Sequence, residues 1–92
     1  MATYTFDPKV AASFTRRTFN LKGWLQGDTI IRAAATTSGL DTSLRVASTT
    51  INGNLATVWL TGGTPGVTYT ISLEVQTGDG RDDYIDATIL VQ

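Results

Sequence analysis

Ninety-two residues with seven basic and eight acidic side chains give a net charge of −1, and neither His nor Cys is present. That balance excludes a generic electrostatic grip on nucleic acid, which needs a basic stripe. The missing residue types exclude imidazole acid–base chemistry, Ser-His-Asp triads, thiolate nucleophiles, disulfides and any His- or Cys-based metal site.

The length suits one domain, residues 1–92, with room for a single core. Hydrophobic residues make up 41% of the chain. Ala, Thr and β-branched aliphatics dominate, which favours strands over helices. No apolar run approaches the roughly 18–20 residues of a membrane span, and the first ten residues carry no apolar signal-peptide core. The expectation is a soluble product made in the cytosol of its host cell, with no membrane partner.

In chain order, "TYTF" (residues 3–6) reads as a short edge strand stopped by Pro8. Residues 13–21 read as a strand carrying Phe14, Phe19 and Leu21. "LKGWLQGD" (residues 21–28) reads as one helical turn or a compact turn that lowers Trp24 and Leu25 onto the core. A strand follows over residues 28–37, with Ile30 and Ile31 at its start. Residues 44–51 and 55–60 flank "NGN" (residues 52–54), a hairpin signature.

Residues 61–66 are almost wholly Gly, Thr and Pro. This connector is too long for a two-residue hairpin and suits a crossing between two sheets. Beyond it alternation is strict: Val67, Tyr69, Ile71, Leu73 and Val75 point one way, and Thr68, Thr70, Ser72, Glu74 and Gln76 the other. That pattern marks an antiparallel strand with one buried face. "TGDGR" (residues 77–81) predicts a tight hairpin in which Gly78 and Gly80 take positive φ. The return strand, residues 82–92, would bury Ile85, Ala87, Ile89 and Val91.

Six or seven short strands without helical periodicity predict an all-β fold, a two-sheet antiparallel sandwich of immunoglobulin-like architecture, with a small barrel as the alternative. Tyr69 stands where such folds place a tyrosine corner, its ring inward and its hydroxyl on connector backbone.

Chemistry-bearing constellations are sparse. Asp79, Asp82, Asp83 and Asp86 fall within eight residues. Their spacing departs from the EF-hand pattern, and Asp82 and Asp83 would face opposite sides of a strand. A charged hairpin tip that discourages stray strand pairing explains them as well. "GGTPG" lacks the Lys and the helix of a phosphate loop. Arg16 and Arg17 beside Phe14 and Phe19 suggest a stacking platform for single strands. Two arginines in a net-acidic chain make a weak platform, and the better reading is that one of them pairs with an Asp of a neighbouring strand or subunit. Trp24 and Trp59 read as core or interface anchors rather than sugar platforms. The residues therefore predict a non-enzymatic binding or structural module without catalytic residue, cofactor or metal.

Three segments add a resemblance: "GWLQGDTI" (residues 23–30), "ATVWLTGGTPGVTYTISLEVQTGDGR" (residues 56–81) and a final D-x-T-I-L-V (residues 86–91). They resemble the fibre–tail adaptor proteins of tailed phages, small virion proteins with an immunoglobulin-like sandwich. The match is most specific over residues 58–69 with Gly80 and Arg81. It implies a structural role in the virion, at the tail or baseplate, linking it to a fibre. Partners would be other virion proteins, with the chain oligomeric in the particle.

In this resemblance the motif residues are fold determinants. Gly62, Gly63 and Gly66 shape the connector, Trp24, Trp59 and Tyr69 fill the core or its rim, and Gly80 and Arg81 set the hairpin. Contacts would then come from the ends of the sandwich and the N-terminal basic stretch: Asn52, Asn54, Asp79, Asp82, Arg16 and Arg17. Capsid decoration and host-surface carbohydrate binding are the alternative roles.

Overall fold

A computed structural model describes residues 3–11, 13–38 and 43–92. Alternation of apolar and polar residues, strictest in the sixth, accompanies seven strands: β1 (Thr3–Thr5), β2 (Thr15–Asn20), β3 (Ile30–Ser38), β4 (Leu44–Asn52), β5 (Leu55–Gly62), β6 (Thr68–Thr77) and β7 (Asp82–Leu90). One helical turn, α1 (Lys22–Leu25), joins β2 to β3. The strands form a four-stranded sheet, β1-β7-β6-β3, and a three-stranded sheet, β2-β5-β4.

The inner faces interlock. Phe19, Ala56, Val58 and Leu60 from the smaller sheet bury against Tyr69, Ile71, Leu73, Val75, Ile85, Ala87 and Ile89 from the larger one. Leu21, Leu25, Leu44 and Val91 close the ends. Each fully buried aliphatic or aromatic side chain contributes about 1.5–3 kcal/mol relative to exposure, so this shared core holds the two sheets together. Tyr4 and Phe6 add edge-on contacts to Phe19, with ring centroids 5.6 and 4.9 Å apart.

β6 and β7 pair antiparallel from Thr68↔Leu90 to Gln76↔Asp82, the register that the alternation predicts. Their turn departs from expectation in one respect. Gly80 has φ +90°, but Gly78 does not take a positive φ. A Cβ on Gly78 would stand 2.8 Å from Thr29 Oγ1, so close approach rather than conformation favours glycine there.

Three further differences have local causes. Pairing of β1 with β7 is parallel, Thr3↔Asp86 to Thr5↔Thr88, because the first strand adds to the free edge of β7 instead of folding back as a hairpin. The register of β3 against β6 slips between Ile30 and Arg32; Ile31 is the extra residue of this bulge and is 65% exposed. Phe14 precedes β2 instead of lying within the strand, and is 62% exposed.

Candidate functional site

The crossover between the sheets is built from several distant segments. β5 runs through Gly62, and the chain then passes to β6 of the other sheet. Gly62 (φ +79°) lies against the Ser43 carbonyl, with no room for a Cβ. A Cβ on Gly63 (φ +104°) would meet Val91 Cγ2 at 2.7 Å. Gly66 donates its N–H to the Val91 carbonyl at 2.7 Å. The buried Tyr69 hydroxyl accepts the Thr64 N–H at 2.7 Å and lies 3.0 Å from Ser43 Oγ. Ring and hydroxyl thus tie β6 to the connector just upstream of it.

Sequence reading missed the other half of this clamp. Lys9 is only 2% exposed, and its ammonium donates to the carbonyls of Gly62 (2.8 Å), Val10 (2.8 Å) and Ala11 (3.3 Å). Burial first, and then the nearby Arg17 charge, push the Lys9 pKa below its ordinary value. Three carbonyl partners make burial of this cation tolerable, since an unpaired one would cost several kcal/mol. No local pattern marks this lysine, because its partners come partly from 53 residues away.

Arg17 also serves the fold. Its guanidinium donates to the carbonyls of Asp7 (3.0 Å), Pro8 (2.7 Å) and Arg16 (2.8 Å), pinning the N-terminal segment to β2. The expected pairing with an Asp carboxylate is replaced by backbone carbonyls, so Arg17 is committed within the chain. Arg16 is exposed, with its guanidinium carbon 5.6 Å from the Trp59 ring centroid.

Trp59 lies outside the core. Val58 and Leu60 point inward, so Trp59 between them takes the outer face of the three-stranded sheet. There Phe14 stacks on it, with centroids 5.4 Å apart and planes 16° apart. Arg16 and Ser48 are its cross-strand neighbours. The T-V-W-L alternation carries this placement, and of the two readings, core or interface anchor, it leaves the second.

At one end of the sandwich, Arg81 joins the β6–β7 turn to α1. Its guanidinium carbon lies 3.8 Å from the Trp24 ring centroid, and Nη1 donates to the Trp24 carbonyl at 3.1 Å. Asp28 is buried beside it. Asp28 Oδ1 accepts the N–H groups of Thr29 (2.8 Å) and Asp79 (3.1 Å), while Oδ2 faces Arg81 Nη1 at 4.0 Å without a hydrogen bond of regular geometry. The Thr77 hydroxyl, then these backbone groups and the Arg81 charge, hold the Asp28 carboxyl below its ordinary range against the opposing effect of burial. Gly80 donates to the Thr77 carbonyl at 3.1 Å and completes the turn.

Asn52, Asn54, Asp79 and Asp82 are all exposed. Asn52 and Asn54 sit at the β4–β5 turn, whose Gly53 has φ +59°, and the Asn54 carbonyl accepts the Leu21 N–H at 2.9 Å. Asp82 opens β7 on the opposite sheet. Both turns reach α1, the β4–β5 turn through the Asn54 carbonyl and Leu21 and the β6–β7 turn through Arg81 and the Trp24 carbonyl. Among the described residues no group of three or more acidic side chains is placed to hold a metal, no pocket opens, and no helix is long and apolar enough to cross a membrane.

The fold is similar to the solution structure of the PKD domain from the KIAA 1837 protein, with a TM-score of 0.58 and 16% identity over all of this chain and 81% of that one. No curated protein matches the chain significantly. A family model described as "Podophage GP4 fiber-tail adaptor protein gp77" matches residues 9–92.

Proposed function

Because the chain belongs to the podophage GP4 fiber-tail adaptor family, we propose that it is a non-enzymatic structural part of the virion, placed at the tail or baseplate, that joins the tail to a fibre by protein–protein contact. The family match over residues 9–92 is the observation that carries this reading. Physical features support it: a sandwich clamped at its crossover, with no pocket among its described residues, presents sheet faces and turns for contact. The partners are other virion subunits, and recognition uses exposed side chains.

Particles assembled without this protein test the proposal. They are expected to keep complete tails and lack fibres, and purified protein added back should restore attachment. Fully fibred particles in its absence would refute the adaptor role. Fibreless particles that also lack tails would assign it to tail assembly instead.

A further inference from the structure

Charge in this fold is divided by sheet. Strands β2, β5 and β4 contain Arg16, Arg17 and Arg45 and no Asp or Glu. Strands β1, β7, β6 and β3 contain Glu74, Asp82, Asp83 and Asp86 against a single Arg32.

Arg17 shares its side of β2 with buried Phe19 and is engaged by backbone carbonyls, so the cations on the outer face of the three-stranded sheet are Arg16 and Arg45, both exposed. Arg16 pairs across from Trp59, and Arg45 from Thr61, the next outward position along β5. The exposed Phe14 stacks on Trp59, so two cations frame an aromatic surface. On the outer face of the four-stranded sheet, Tyr84 is 49% exposed and lies across from Glu74, between Asp82 and Asp86 along β7. Hydrogen bonding with Asp82, then the Asp82 charge, push the Glu74 carboxyl above its ordinary value, and Arg32 only partly offsets this. Among the described residues, the strands of this sheet carry four carboxylates and Arg32 as their one cation.

We propose that the outer face of β2-β5-β4 of one copy seats on the outer face of β1-β7-β6-β3 of a second copy, with Arg16 and Arg45 over Glu74 and Asp82 and the Phe14–Trp59 stack against Tyr84. Complementary charge is the argument for a second copy, because this one chain presents both halves of the match. The inference rests on the adaptor reading for its setting in the particle. Each copy offers one face of each kind, so the contact is heterologous and propagates into a ring or a filament. The protein's Cα extents of 39 × 21 × 18 Å leave faces about the size of a standard footprint, roughly 800 Å² per partner. The contact therefore uses a whole face, depends on salt and strengthens with local concentration.

Sedimentation velocity on the purified protein tests this. Wild type is expected to associate as concentration rises in low salt and to dissociate in high salt. Arg16→Glu with Arg45→Glu, and separately Glu74→Arg with Asp82→Arg, should each stay monomeric while melting cooperatively. Mixing the two variants should restore association, since each retains one intact face. A wild type that is monomeric throughout, variants that associate like wild type, or a mixture that stays monomeric would overturn the inference. Wild type that remains monomeric yet still joins tail and fibre subunits would remove the self-contact and leave the adaptor role standing.

Discussion

Removing the Tyr69 hydroxyl probes the crossover with least disturbance. In Tyr69→Phe the ring keeps its buried position while the Thr64 N–H loses an acceptor at 2.7 Å and Ser43 Oγ a neighbour at 3.0 Å. Thr64 and Ser43 are exposed residues, so water reaches the vacated groups and the full desolvation penalty does not apply. The expected loss is about 1 kcal/mol, the net worth of one hydrogen bond, or a fall in Tm of about 4–8 °C for a domain of this size. Tyr69→Ala removes a ring that is 2% exposed and should cost about 3–5 kcal/mol. Against a total of roughly 5–14 kcal/mol for a chain of this length, that loss leaves a marginal protein. Urea unfolding monitored by Trp fluorescence measures both variants on one scale. An Ala variant as stable as wild type would refute the claim that Tyr69 holds the two sheets in place. A Phe variant as damaged as the Ala variant would refute the division between ring and hydroxyl.

Arg17→Glu should lower stability by about 1.5–3 kcal/mol, because it removes charged hydrogen bonds to carbonyls, whereas exposed Arg16→Glu should change stability by less than about 0.5 kcal/mol; equal urea midpoints for the two would refute the distinction. Gly63→Ala should cost about 1–3 kcal/mol, since a Cβ there meets Val91 in a backbone conformation that favours glycine, and an unchanged melting curve would contradict it. The folded-state pKa of Asp28 is depressed, so its stabilisation is present above the ordinary value of 3.8 and is lost as pH falls through the lower folded value. Stability measured from pH 6 down to pH 2 should therefore fall less steeply in Asp28→Asn than in wild type, and parallel profiles would exclude Asp28 as a source of acid sensitivity.

The β6–β7 pair was legible because one face is buried along its whole length, which writes the fold into the sequence with period two. The Tyr69 corner was legible for a related reason: its position depends on the strand that carries it. Lys9 and Arg17 were not legible, since both charges are satisfied by backbone carbonyls, and carbonyls leave no trace in residue type. The parallel placement of β1 is equally silent, because three residues fit either direction of pairing. Trp59 is a different case. Its outward face followed from its neighbours, and reading it as a core or interface anchor left the choice of face open.

Parallel alignment of the first segment with the last strand decides how this protein would meet a pulling force. Beyond β1, Phe6 donates to Thr88, Lys9 to Leu90, Ala11 to Gln92 and Gln92 back to Lys9, continuing the same direction. Tension drawn outward through Thr3 at one end and Gln92 at the other runs along the axes of neighbouring strands and in opposite senses. These bonds then resist together in shear, rather than opening one after another as in a hairpin peeled from its tip. Rupture under such a load is governed by the unfolding barrier rather than by equilibrium stability. The Lys9 ammonium, anchored to Gly62 in the other sheet, adds resistance across the sandwich as well as along it.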